Sequence, residues 1–398
     1  MKILLIGNGF DLHHSFPTTY LNFINVTQYL VEHYNPSWKT VGDVLGQEKL
    51  HIIDKGIAKS YSVHQATYDI TPLDKPLIEF LINEASTNMW FTYFKNSFID
   101  ELGWIDFEQE VSRVVKTFRN LFDQLNNTDI FDKDILYEVS DAYDKHILSS
   151  FDFFIKELTY NEPRHIINSP YFFVSPAGSL RMVNNKEEII NVLFTSLQNL
   201  SEMLKTYLRC FIDSPTENIS FQGRTFSHAG ISCLEDSFYA VISYNYTNTY
   251  SQLYPMTHHL AQIHGDLQHQ IVLGINPDIY DTFESIDTSF TQFKKYHQRV
   301  FYKTDTTYFE LIHTLERRRS ENTSIELFVI GHSLDTSDAD SLTEIIKLAD
   351  KITIYYHNDS SHRSLINNTV ALHEKKGFDE LRYKKDLSYV QLEEIEWR

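Results

Sequence analysis

Asn245, His264 and Asp11 are hydrogen-bonding or ionisable side chains at positions where chemistry could be done. Each lies just after an apolar run, in the segments Asn245-Tyr246-Thr247, His264-Gly265-Asp266 and Gly7-Asn8-Gly9-Phe10-Asp11. A fourth segment of the same kind, Gly331-His332-Ser333-Leu334-Asp335, follows the apolar stretch ending at Ile330. An imidazole such as that of His264 exchanges a proton near neutral pH. A glycine loop directly after a buried strand brings bare backbone N–H groups against a phosphate or ribose. The first loop falls short of Gly-x-Gly-x-x-Gly because position 12 is Leu. A carboxylate at Asp11 would repel a nearby pyrophosphate by about 1–4 kcal/mol, and is better suited to accept hydrogen bonds from ribose hydroxyls or backbone N–H groups. Open parallel sheets bind ligands at the carboxyl ends of their strands, so the preferred reading is that the four segments share one cleft.

The elements that must position these residues are strands. Ile3 to Ile6, Phe238 to Tyr244, Leu260 to Ile263, Ile271 to Leu273, Glu326 to Ile330, Ile352 to Tyr356 and Val390 to Ile395 read as β. Helices are expected over Thr18–Tyr34, Tyr296–Arg318, Ala339–Leu348 and His362–Lys375. From Pro76 to Tyr160 the apolar spacing is helical, with Phe107, Val111, Val114, Phe118, Ile147, Phe151, Phe154 and Leu158 recurring at three or four residues. Glu187 to Phe211 is another helix. The stretch from Trp38 to Asp74 is mixed and polar, with glycines marking turns. Strands alternating with helices predict an α/β fold: a Rossmann-like, mostly parallel sheet with helices on both faces. Residues 1–40 and 236–398 form this discontinuous domain, interrupted by a mainly helical insertion over 41–235.

Bulk properties narrow the function. The chain has 398 residues, 42% of them hydrophobic and 14% aromatic, which is globular composition. A formal charge of -19 argues against nucleic acid or an anionic membrane as partner. Only Cys210 and Cys233 are present, which fits a reducing, cytoplasmic setting and rules out a four-cysteine zinc ribbon. No stretch is apolar for long enough to span a membrane. No histidine pair has the spacing of a helical zinc site, so no metal is expected.

The motifs in their order along the chain are also familiar. Ile6-Gly-Asn-Gly-Phe-Asp-Leu12 with Phe16-Pro-Thr18, Tyr244-Asn-Tyr-Thr247, Ile263-His-Gly-Asp266, Leu273-Gly-Ile275, Ile330-Gly-His-Ser-Leu334 and Trp104-Ile-Asp-Phe-Glu108 resemble the AbiH family of phage abortive-infection proteins. The resemblance implies a role in antiphage defence. More distantly, the same order of pieces is similar to the SIR2-like NAD-binding superfamily. That similarity implies NAD as the nucleotide ligand, with pyrophosphate and adenosine contacts from Gly7, Gly9, Gly331 and Ser333. Asn8, Phe10, Asp266 and His332 belong to the same walls. Asn245 would orient the nicotinamide ribose or an attacking water, and His264 would act as general base, with Asp11 beside them. Thr247 stands where SIR2-like proteins usually carry Asp, and Asn8 and Asp11 replace Ala and Ser.

Bland readings stand beside each of these. His264 can be a core histidine bonded to backbone, and Asn245 a turn cap. Asp335 and Asp338 precede the helix at Ala339 and suit N-capping. Asp106 and Glu108 suit a solvated face or a salt bridge. Two other functions remain open: a metal-dependent phosphoesterase or nuclease, using Asp11-Leu12-His13, Asp266 and His332, and a nucleotide-gated sensor without catalysis. A phage-derived trigger and homo-oligomerisation through the insertion are further expectations.

Overall fold

A computed structural model describes residues 1–96, 107–127, 142–158, 163–167, 172–174, 180–182, 186–221, 234, 238–254, 258–275 and 288–392. The chain divides into two compact units. The first comprises Met1–Leu81, Leu204–Val272 and Gln298–Arg398, and the second Ile82–Met203 and Leu273–His297.

The first unit is built on a six-stranded sheet. Its strands are β1 (Lys2–Ile6), β6 (Ala240–Ser243), β7 (His259–Gln262), β8 (Glu326–Ile330), β9 (Lys351–Tyr356) and β10 (Leu387–Gln391), with β2 to β5 lying in the second unit. The order across the sheet is β10-β9-β8-β1-β6-β7, and every pairing is parallel. Numbered by position in the sheet's own sequence, this is the 3-2-1-4-5-6 order of doubly wound dinucleotide-binding folds. The chain leaves β1 toward β6 on one side and returns to β8 on the other. The resulting topological switch point lies at the carboxyl ends of β1, β6 and β8.

The period-2 pattern of the strands fixes two cores. Ile3 and Leu5 pack with Ala240, Ile242, Leu327, Val329, Ile352 and Ile354 on one face. That face is covered by α14 (Thr306–Ser320) through Leu311 and Leu315, and by α15 (Ala339–Leu348) through Leu342 and Ile345. Leu4 and Ile6 point the opposite way, with Val241, Phe328 and Ile330. There α1 (Asn8–His13) contributes Phe10, and α12 (Thr249–Leu253) with the residue after it contributes Tyr250 and Tyr254. Burial on both faces explains why β1 and β8 read as unbroken apolar runs rather than alternating ones.

Several expected elements shift. The predicted strand Ile271–Leu273 is buried but has no ladder partner; Val272 N–H instead bonds the His264 carbonyl at 2.8 Å. The predicted helix Tyr296–Arg318 is two helices, α13 (Lys295–Tyr302) and α14, parted at Lys303, whose φ is +59°. The polar stretch 38–74 holds three helices: α3 (Val41–Leu45), α4 (Glu48–Ile53) and α5 (Lys55–Tyr68). Side-chain caps mark two of them: Thr40 and Asp43 form a capping box at α3, and Asp54 accepts from Gly56 and Ile57 N–H at α5.

The second unit contains α7 (Met89–Asn96), α8 (Phe107–Asn127), α9 (Ala142–Ser150) and most of α10 (Lys186–Leu208). It also contains the antiparallel pairs β2 (Phe154–Leu158) with β3 (Pro163–Ile167) and β4 (Phe172–Val174) with β5 (Leu180–Met182). β2 was expected to continue a helix. A spacing of four residues, Phe154 to Leu158, fits two strand repeats as well as one helical turn, so period alone could not separate them. Among the described residues, no helix is long and apolar enough to cross a membrane.

Candidate active site

The glycines at the switch point form a seam between two loops. Gly7 N–H bonds the Ile330 carbonyl at 3.2 Å, Gly9 N–H bonds the Gly331 carbonyl at 2.7 Å, and Phe10 N–H bonds the Gly7 carbonyl at 2.8 Å. A Cβ on Gly7 would lie 2.8 Å from His332 Cα, and one on Gly331, where φ is +69°, 2.0 Å from Phe10 N. These glycines are therefore required by backbone contact alone, and the N–H groups of Gly7 and Gly9 are engaged within the protein. Phe10 is fully buried in the core against His14 and Tyr254. Asn8 and Ser333, by contrast, are exposed, one on each loop.

Behind this seam, α1 turns Asp11 inward toward the segment after β6. Asp11 is 1% exposed, and its Oδ2 accepts the Thr247 hydroxyl at 2.6 Å. Loss of hydration pushes its carboxyl up to about 7; hydrogen bonds from Thr247 and Thr249 oppose the rise, and the nearby Asp213 carboxylate adds to it. Asp213 closes the π-helical turn Arg209–Asp213 that follows α10. It accepts Asn248 N–H at 3.1 Å and Asn248 Nδ2 at 2.6 Å, and burial lifts it to about 6. Two buried acids thus grip adjacent residues of one short loop.

Asn245 heads that loop, its backbone N–H held by Ser243 Oγ at 3.1 Å. The residue is 5% exposed, and neither Nδ2 nor Oδ1 of its side chain has a hydrogen-bond partner among the described residues. The amide is close enough to favour the charged form of Asp11 without reaching hydrogen-bond geometry. A buried amide left open in this way costs about 1–3 kcal/mol per unmet group, a cost a turn cap does not incur.

His264 follows β7 and is 6% exposed. Its Nε2 lies 3.1 Å from Asp338 Oδ1, and His332 Nε2 lies 3.7 Å from Asp338 Oδ2. His332 Nδ1 accepts the Leu334 N–H at 2.9 Å. The Tyr244 ring packs against both imidazoles, with centroids at 5.3 Å from His264 and 4.3 Å from His332. Tyr244 in turn shares a 2.8 Å hydrogen bond with Ser341, and burial beside Asp338 raises its phenol well above the ordinary value.

Asp335 caps not the helix at Ala339 but the 3-10 turn Thr336–Asp338 that leads into it, its carboxylate accepting Ser337 N–H at 2.8 Å. The capping expectation fails for Asp338: this side chain makes no capping bond to α15 because it is turned toward the two histidines. Asp266 is a turn residue. Partial burial works to raise its carboxyl, but hydrogen bonds from the His269 ring and from the His269 and Gln268 N–H groups outweigh this and hold it below the usual range. Glu108 pairs with the buried Lys295 at 2.7 Å within the second unit. Trp104 and Asp106 lie outside the described residues. Read from sequence, Asp338 is a cap, Thr247 enters only within its segment and as a departure from the SIR2-like pattern, and Asp213 is not reached. Asp338 carried a signal in its place three residues after Asp335, where a second cap is redundant. Among the described residues, no group of three or more His, Cys, Asp and Glu side chains is arranged to hold a metal ion.

Asp11, Asn245, Thr247, His264, His332 and Asp338 all fall in the first unit, at the carboxyl ends of β1, β6, β7 and β8. No curated protein and no solved structure matches the chain significantly. The profile of one protein family, described as bacteriophage abortive infection AbiH, matches residues 3–357 and so takes in every one of these residues. The chain belongs to the AbiH family of bacteriophage abortive-infection proteins.

Proposed function

We propose that the switch-point site cleaves the N-glycosidic bond of NAD, and that this activity underlies the chain's role in phage abortive infection. The observation that carries the reading is the Asn245 amide: buried, open at both polar atoms, and close to a carboxyl raised to about 7. A ribose supplies the hydroxyl donors and acceptors that would satisfy this group. Perturbed acids in a buried, polar, convergent site are a recognised mark of function. The sheet order supports the same reading, since dinucleotides bind at this switch point.

Water attacks the anomeric carbon of the nicotinamide ribose as the carbon–nitrogen bond breaks. The products are nicotinamide, ADP-ribose and one proton. Asn245 holds the ribose or the attacking water. His264 takes the water's proton as general base. Asp11 accepts a ribose hydroxyl and, when ionised, favours the positive charge that develops on the ring. Because the Gly7 and Gly9 N–H groups are bonded internally, contact with the pyrophosphate passes to the exposed Asn8 and Ser333.

The purified chain incubated with NAD tests this. Nicotinamide release that survives EDTA and falls at least about 100-fold in His264→Ala supports the reading. Hydrolysis abolished by EDTA points to a metal-dependent phosphoesterase. Silence with NAD, both alone and with lysate of phage-infected cells, points to a nucleotide-gated sensor.

A further inference from the structure

Among the described residues, Asp338 is the one acid facing two imidazoles in this site, and its geometry assigns it a task. Its carboxylate is buried, with Oδ1 on His264 Nε2 at 3.1 Å and Oδ2 near His332 Nε2 at 3.7 Å. The two histidines differ in how their protons are fixed. Leu334 N–H donates to His332 Nδ1 at 2.9 Å, so Nδ1 carries a lone pair and the proton of neutral His332 sits on Nε2. This holds whatever Asp338 does. The 3.1 Å approach at His264 is an ion-pair contact rather than an aligned hydrogen bond. At that distance a bare Nε2, which carries partial negative charge, is repelled by the carboxylate oxygen without any need for alignment. A proton on Nε2 reverses the sign.

We infer that Asp338 is the positioning residue of the site: it fixes His264 as the Nε2–H tautomer, makes Nδ1 the basic nitrogen, and supports the imidazolium once a proton arrives. A carboxylate behind an imidazole serves the same purpose in acid–base triads, where it orients the ring and stabilises its charged form without itself taking the proton. The second oxygen, shared with His332, and the Tyr244 ring packed on both imidazoles restrict rotation of the assembly. The catalytic half of the inference rests on the proposed NAD cleavage; the tautomer half does not.

Long-range proton–nitrogen NMR correlation on the full chain with nitrogen-15-labelled histidine reads both tautomers at once. His264 and His332 are both expected as Nε2–H in the wild type. In Asp338→Asn, His264 is expected to lose its single tautomer while His332, held by Leu334, keeps its own and reports an intact fold. Nicotinamide release by Asp338→Asn is expected to show kcat lowered about 100-fold with KM changed less than about 3-fold, and Asp338→Glu to recover part of kcat. His264 found as Nδ1–H in the wild type, or an unchanged tautomer and kcat in Asp338→Asn, overturns the inference. If Asp338→Asn loses the His332 signal, the wild-type tautomer and Asp338→Glu decide it. A wild type that releases no nicotinamide overturns the NAD reading alone, and the tautomers still decide the role of Asp338.

Discussion

Asp11 and Gly331 show how differently a residue can be held at this site. Asp11 is kept where its charge is disfavoured, raised from its ordinary 3.8 to about 7 chiefly by burial. Its folded-state affinity for a proton exceeds that of the unfolded chain, so it contributes stability at low pH that is lost as pH rises through about 4 to 7. That loss amounts to about 4 kcal/mol across the window. Asp11→Asn removes the buried charge while preserving shape. It is expected to raise stability by about 1–4 kcal/mol at pH 8, with little change at pH 4, in urea unfolding. The same variant is expected to lose nicotinamide release, a trade of activity for stability. A variant no more stable at pH 8 than at pH 4, relative to wild type, would contradict the charge argument. Gly331 is fixed by geometry instead: its φ of +69° and a Cβ 2.0 Å from Phe10 N leave no room for a side chain. Gly331→Ala is expected to cost more than about 2 kcal/mol and lower the thermal midpoint.

At the scale of elements, the site depends on how strands end and helices begin. β6 ends at Ser243, and the five residues before α12 are held at Thr247 by Asp11 and at Asn248 by Asp213. The π-helical turn carrying Asp213 is a widened helix segment of the kind that recurs at functional sites. Asp213→Asn can keep one of the two Asn248 bonds, whereas Asp213→Ala loses both. The alanine variant is expected to be about 1–3 kcal/mol less stable than the asparagine variant at pH 8, by chemical denaturation. Equal stabilities would place the grip on Asn248 elsewhere. β1, β6, β8, β9 and the helix Ala339–Leu348 are legible in sequence because buried parallel strands are continuous apolar runs, and Gly7 and Gly331 break two of them abruptly, whereas the last strand lies at Leu387–Gln391 rather than Val390–Ile395. The role of Asp338 is not legible. Its position before a helix predicted a cap, and only the fold brings it to His264 and His332, residues 74 and 6 positions earlier in the chain. The phosphate role expected of Gly7 and Gly9 rested on sequence that cannot report which carbonyls take their N–H groups.

For the whole molecule, the defining property is that both ends of the chain meet in one sheet. β1 lies between β6 and β8, strands more than 200 residues away, so the cleft exists only once the long intervening chain has returned. This delays assembly of Asn245 beside Asp11 until distant contacts form, and non-local contacts of this kind slow folding. A formal net charge of -19 fits a small nucleotide better than a polynucleotide as the molecule acted on, since it repels long polyanions and leaves a local site unaffected. Under the proposed function, abortive infection by this chain proceeds through NAD loss at the Asn245–His264 site. Cellular NAD should therefore be followed after infection by a phage that the chain aborts. NAD is expected to fall in cells carrying the wild type before lysis and to stay level with Asn245→Ala, which also loses protection. Abortion that proceeds with NAD undiminished would contradict the proposed function.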